Sequence, residues 1–158
     1  MQNFINLVKN NIRLLVGGIV VGFLGILLVL FILSKQTTKV LVNDQSFSVS
    51  VAKTEKEKQI GLSKTTEINE NQGMLFIFDE PDYYSFWMKD MKFPIDIIYI
   101  NGDKIVTVID NAKPPVNGDG VLEVYQPEDQ SDKVLEISAG LAKKYNIKKG
   151  TTIKIENL

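Results

Sequence analysis

Hydrophobic positions follow two regimes along the chain. From Leu14 to Leu33 each of 20 successive residues is apolar or glycine, with no polar face at any helical spacing. From Lys39 onward the apolar residues instead come in short runs separated by polar, Gly-, Pro- or Asn-containing stretches, the pattern of strands and turns. Ser46–Ala52 alternates, with Phe47, Val49 and Val51 on one face and Ser46, Ser48 and Ser50 on the other. Gly73–Phe78 is a continuous apolar run of strand length, with Pro81 and Asp82 marking a turn after it. Further strands are predicted at Lys39–Val42, Ser85–Asp90, Pro94–Ile100, Lys104–Asp110, Val121–Tyr125, Lys133–Ile137 and Thr151–Glu156. The Asn101-Gly102 pair between two of these runs is a hairpin signal.

Two short helices interrupt the strands. Thr54 and Glu57 have the spacing of a capping box and open a charged helix ending near Gly61. Ser138 is the expected N-cap of a helix over Ala139–Tyr145, with Lys143 and Lys144 in its last turn. Asn146 suits a left-handed C-cap there, and Ile147 packs back beneath it. Strand-helix alternation is not sustained, so the expected class is mainly β (α+β): an antiparallel β-sandwich or partly closed barrel with two short helices, preceded by one transmembrane helix.

At about 1.5 Å per residue the Leu14–Leu33 run spans roughly 30 Å, the thickness of the bilayer hydrocarbon. A cleavable signal peptide is the rival reading. Its apolar region is shorter, about 7–15 residues, and ends in small residues, whereas Leu33 runs into Ser34, Lys35 and Gln36. The expected organisation is a cytoplasmic segment 1–13, a retained transmembrane helix 14–33, a linker 34–38 and an extracytoplasmic β-rich domain 39–158. Lys9, Arg13 and the amino terminus precede the helix and Lys35 and Lys39 follow it, a balance slightly favouring this orientation in the cell membrane. Gly18 and Gly22 form a G-x-x-x-G match extended by Gly25, a candidate face for a helix-mediated homodimer; glycine is also simply common in membrane helices.

The formal net charge is −1, and every acidic residue lies from Asp44 onward, so the outer domain is net acidic and no nucleic-acid face is implied. The chain has neither histidine nor cysteine. Ser-His-Asp and Cys-His chemistry, disulfides and histidine- or cysteine-based metal sites are thereby excluded, leaving carboxylates, Lys, Tyr, Ser, Thr and the backbone. No cofactor and no metal are implied. Asn117-Gly-Asp-Gly120 has the residue types of a calcium loop without the spacing or terminal Glu of an EF-hand, and reads as a solvated turn.

The segment Ser85–Ile100, SFWMKDMKFPIDIIYI, carries Phe86, Trp87, Met88, Lys89 and Asp90, then Pro94, Asp96, Ile97 and Ile98. This closely resembles the domain of unknown function 192 family of small bacterial and archaeal proteins, whose hallmark is FWMK(N/D) followed by P-(L/I)-D-I-I. Gly61-Leu62, Gly73-Met-Leu-Phe76 and Val134-Leu-Glu-Ile137 continue the resemblance in order. Ser63 and Lys64 stand where the family usually has Met and Arg. The resemblance implies a jelly-roll-type β-sandwich, commonly exported or membrane-anchored, with no established activity.

Strand alternation places Asp96 with Ile98 and Ile100, opposite Ile95, Ile97 and Tyr99. A carboxylate there must be paired, hydrogen-bonded or protonated. One reading pairs it with Lys89 in a ligand pocket rimmed by Asp90; the other has it bond loop backbone after Pro94. Tyr83, Tyr84, Phe86 and Trp87 form the one dense aromatic cluster, either a platform for a sugar or peptide or ordinary packing. Glu136 alternates with Val134 and Ser138 as a second inward carboxylate. The candidate ligand-binding residues are therefore Trp87, Lys89, Asp90, Asp96, Tyr84 and Glu136, and no catalytic residue is assigned. The function they suggest is a membrane-anchored, non-enzymatic module binding a cell-envelope glycan or protein partner. The alternatives are a hydrolase using Asp96 with Glu136 or Asp90, and an assembly subunit of a membrane complex.

Overall fold

A computed structural model of the chain describes residues 1, 16, 18–28, 30, 36–115 and 122–158. The chain divides into two units, Met1–Gln36 and Thr37–Leu158. In the first, residues 18–28 are helical, and among the described residues no helix is long and apolar enough to cross a membrane. Part of the expected 14–33 span, and all of Asn117–Gly120, lie outside the described residues.

The second unit is mainly β. Its elements are β1 (Lys39–Val42), β2 (Gln45–Ala52), α1 (Glu55–Ile60), β3 (Gln72–Asp82), β4 (Phe86–Trp87), β5 (Ile95–Asn101), β6 (Lys104–Ala112), β7 (Val124–Tyr125), β8 (Ser131–Ser138), α2 (Leu141–Lys144) and β9 (Ile153–Glu156). One seven-stranded sheet runs β6-β5-β8-β3-β2-β1-β9, and β4 pairs with β7 in a separate ribbon. The sheet is mixed: β2 and β3 are parallel, correcting the expected all-antiparallel order. A parallel pair needs a crossover, and the segment carrying α1 supplies it.

The flanks of edge strands β6 and β9 also meet. Ile105 donates its N–H to the Thr151 carbonyl at 2.9 Å, Gly150 to that of Ile105 at 2.8 Å, and Ile153 to that of Asp103 at 2.9 Å. The sheet thus closes on itself there, which satisfies backbone groups that a free edge would leave open.

Both faces of the central strands are covered, which explains why β5 is buried from Ile95 to Ile100. Ile98, Ile100, Leu135 and Ile137 join Val40, Phe47 and Ile153 in one core. Ile95, Ile97, Tyr99 and Val134 face the other way, with Phe76, Leu62 and Met88. The capping box of α1 is complete: Glu57 N–H donates to Thr54 Oγ1 at 3.3 Å, and Glu57 Oε2 accepts from Thr54 N–H at 2.9 Å.

Two local expectations are corrected. Helix α2 begins at Leu141 behind Gly140, with φ of 85°, while Ser138 is the last residue of β8 and donates its hydroxyl to Ile68 carbonyl at 3.1 Å. The strand predicted over Ser85–Asp90 is only Phe86–Trp87: its partner β7 is two residues long, and the chain then turns at Lys89–Asp90, where Asp90 is left-handed with φ of 60°.

Candidate functional site

The register between β5 and β8 decides where the two interior carboxyls go. Cross-strand partners project to the same face, and Asp96 is opposite Ile137 while Ile97 is opposite Glu136. Asp96 therefore faces the core of Ile98, Ile100 and Ile137, and Glu136 faces that of Ile97, Phe76 and Val134. The sheet stands between them, so the Asp96–Glu136 hydrolytic pair does not form.

Asp96 is fully buried and bound to backbone. Its Oδ1 accepts from Asn111 N–H at 2.8 Å and Gly140 N–H at 3.0 Å, and its Oδ2 from Ala142 N–H at 2.8 Å. The carboxylate caps α2 and holds the bulge of β6, where Asn111 takes a φ of 54° and turns its N–H inward. The expected pairing with Lys89 is not found. Asp96 does bond backbone, but that of β6 and α2 rather than of the loop after Pro94.

On the opposite face a cavity of about 190 Å³ opens between α1 and its Gly61–Ser63 extension, the Tyr84–Met91 segment and the sheet. Phe76 and Phe78 come from β3, where alternation aligns them with Met74, the cross-strand partner of Glu136. Phe86 meets Phe76 edge-on with centroids 5.0 Å apart, and Tyr84 stacks on Phe78 at 3.6 Å. Lys58 of α1 lies 4.6 Å over the Phe78 ring and pairs with Glu55 at 3.0 Å. Ser63 also lines the cavity.

Glu136 lines this cavity while only 6% exposed, and its Oε2 has no hydrogen-bond partner among the described residues. Burial raises its pKa to about 8. The Tyr99 hydroxyl is raised first by burial and then by the Glu136 charge, but it donates to the Tyr125 carbonyl at 3.0 Å. The Tyr84 hydroxyl is likewise engaged, donating to Glu80 carbonyl at 2.7 Å; burial and then the Asp82 charge raise its pKa.

Of the candidate residues, the structure brings Tyr84, Trp87, Lys89 and Glu136 to one cavity. Trp87, 56% exposed, stands with Lys89 among the lining residues. Asp90 is exposed in the Met88–Met91 turn, where Met91 N–H reaches Met88 carbonyl at 3.2 Å, and does not line the cavity. Tyr83 is exposed and also outside it. Gly18, Gly22 and Gly25 each have open space where a Cβ would stand. Among the described residues no group of three or more acidic side chains is placed to hold a metal ion.

Sequence reasoning missed Lys58, Phe76 and Phe78. The parity of Met74, Phe76 and Phe78 was a usable signal, but a run apolar at every position conceals which alternate residues face a cavity.

A family model for DUF192, described as Uncharacterized ACR, matches residues 38–155. The chain is similar to the crystal structure of a protein of unknown function from Novosphingobium aromaticivorans DSM 12444, at 30% identity and a TM-score of 0.64, over 75% of this chain and 83% of that one. It is also similar to a Sinorhizobium meliloti 1021 protein provisionally described as a transcription regulator, at 23% identity and a TM-score of 0.67, over 77% of this chain and 93% of that one. The second likeness shows the fold alone. No curated protein matches the chain.

Proposed function

Because the chain belongs to the DUF192 family, whose description as Uncharacterized ACR assigns no activity, we propose a function from its own residues: a non-enzymatic binding module, held at the cell membrane by Leu14–Leu33, that takes a cell-envelope glycan or protein partner in the cavity over Glu136. One observation carries the binding reading. A carboxyl group lies buried with Oε2 unpartnered among the described residues, at an aromatic-walled cavity that the exposed Trp87 also lines. Folded proteins satisfy nearly all buried polar atoms, so an orphaned acceptor in a cavity of this kind is best explained by a ligand that supplies the donor.

The hydrolase alternative fares worse. It needs two carboxyl groups flanking a scissile bond, about 5–9.5 Å apart with room for substrate between them. Asp96 lies across the sheet with its oxygens committed to backbone, Asp90 is outside the cavity, and Glu55, the other carboxyl on its lining, is exposed and paired with Lys58. The tether rests on the uncharged Leu14–Leu33 run, supported by the large apolar side chains that Ile19, Phe23, Leu24 and Leu27 expose. The outward orientation rests on flanking charge.

Trp87 is the sole tryptophan, so intrinsic fluorescence of the full-length chain reports on the cavity. Titration with fractionated envelope glycans and proteins is expected to shift its emission. By calorimetry, Trp87→Ala should weaken the active fraction at least tenfold while leaving the unfolding midpoint in place; unchanged affinity would refute the site. Protease added to intact cells should digest the β-rich domain, and protection of that domain would refute the orientation.

A further inference from the structure

We infer that the cavity receives a primary ammonium on an aliphatic stem, as a lysine side chain of a partner polypeptide presents it, with Glu136 as its counter-ion. This deepens the binding reading and rests on it.

Size comes first. An apolar cavity of about 150 Å³ holds one benzene, so 190 Å³ accommodates a single ring or a short alkyl stem and not an oligosaccharide. The distribution of polar groups narrows the choice. A sugar carries hydroxyls around its whole edge and requires several partners, whereas here Ser63 donates to the Ile60 carbonyl, Ser85 accepts from Gln126 and Tyr84 donates to the Glu80 carbonyl, so that between the walls of Phe76, Phe78 and Phe86 the buried Glu136 is the acceptor left open among the described residues. A stem with one polar end matches that arrangement.

Charge narrows it further. An ammonium brings donors and the opposite charge together, which offsets the desolvation of the carboxylate as a neutral hydroxyl cannot. Aromatic faces attract cations, and the chain's own Lys58 already lies over Phe78. Among the described residues the other charged groups on the cavity are Glu55 and Lys58, which neutralise each other, and Lys89, which is exposed and screened by solvent. The Tyr84 and Tyr99 hydroxyls donate to backbone carbonyls and do not serve Glu136. With its pKa raised to about 8, Glu136 is mostly protonated near neutrality when the cavity is empty, so an entering ammonium displaces that proton.

The test uses the full-length chain in mild non-ionic detergent and three probes: Nα-acetyl-lysine methylamide, its norleucine counterpart lacking the ammonium, and the tetramer of N-acetylglucosamine. Calorimetry at pH 7 in buffers of different ionisation enthalpy is expected to show the lysine probe binding with close to one proton released, and the norleucine probe at least tenfold weaker. Glu136→Gln should remove both the difference and the proton release. Lys89→Glu, an exposed change that spares the core, should strengthen the lysine probe modestly, by about two- to threefold given solvent screening. Equal binding of the norleucine probe, binding of the glycan alone, or weakening by Lys89→Glu overturns the ammonium assignment and leaves the binding module standing. Silence from all three probes, by heat and by Trp87 emission, overturns both.

Discussion

Asp96 and Glu136 occupy neighbouring strands and opposite faces of one sheet, because Asp96 is registered against Ile137 and Glu136 against Ile97. Both are buried carboxyls, yet their surroundings differ in the respect that matters. Asp96 accepts three backbone N–H groups, whereas Glu136 Oε2 accepts none among the described residues. The first is architecture by its contacts; the second is an unmet demand.

Asp96→Asn should therefore destabilise the domain without altering the cavity. The amide retains one acceptor oxygen and turns an NH2 toward backbone donors, leaving N–H groups of Asn111, Gly140 or Ala142 orphaned. A loss of about 2–4 kcal/mol is expected in urea unfolding. Probe affinity of the folded fraction should stay within twofold of the parent; a cavity that lost binding while stability held would reverse the assignment.

Gly73→Ala should be costly for a different reason. A Cβ at Gly73 would stand 2.5 Å from the Glu136 carbonyl oxygen and 3.1 Å from Ile137 Cγ2, so β3 and β8 must separate to admit it. Destabilisation of about 1–3 kcal/mol is expected from overpacking against backbone. Because the strain falls on the backbone of Glu136, ligand affinity should drop too, and a neutral substitution in both denaturation and binding would contradict the close approach.

The period-two pattern made the two faces of β5 legible, separating Asp96, Ile98 and Ile100 from Ile95, Ile97 and Tyr99. Thr54 and Glu57 revealed the start of α1 for the same reason: both signals are local. What Asp96 binds was not local, since Asn111, Gly140 and Ala142 come from β6 and α2. Ser138 therefore looked like the cap of α2 although a distant carboxylate does that work. The hairpin was legible but not its turn: Asn101 pairs with Lys104, and the positive φ at Gly102 belongs to the first loop residue, the type II′ pattern. The parallel β2–β3 pair was hidden because one crossover does not create a repeating alternation.

Asp90 separates a conformational role from a binding role. Its φ of 60° suits Asp, Asn or Gly and disfavours β-branched residues. Asp90→Gly should leave stability within about 0.5 kcal/mol, whereas Asp90→Val should cost roughly 1–2 kcal/mol. Calorimetric affinity for the lysine probe should be unaffected by Asp90→Gly; a large fall would make the carboxylate a ligand contact after all.

Glu136 makes stability depend on pH with a definite sign. Its pKa rises from 4.5 to about 8 because burial disfavours the charged form. Between those values the folded state holds a proton that the unfolded state has released, so stability is greatest near the lower value and falls as pH climbs toward 8. The full loss is of order 5 kcal/mol at about 1.4 kcal/mol per pH unit, an upper bound because water entering the cavity relaxes it. The lowered pKa values of Glu57 and Glu156 act below pH 4.5 and the raised ones of Lys144 and Lys149 above 10, outside this window. Urea midpoints of the full-length chain should therefore fall between pH 5 and 8, while those of Glu136→Gln stay nearly flat and exceed the parent at pH 8. Parallel curves for the two proteins would mean that Glu136 is already paired in the folded state, and the demand for a ligand at this cavity would vanish with it.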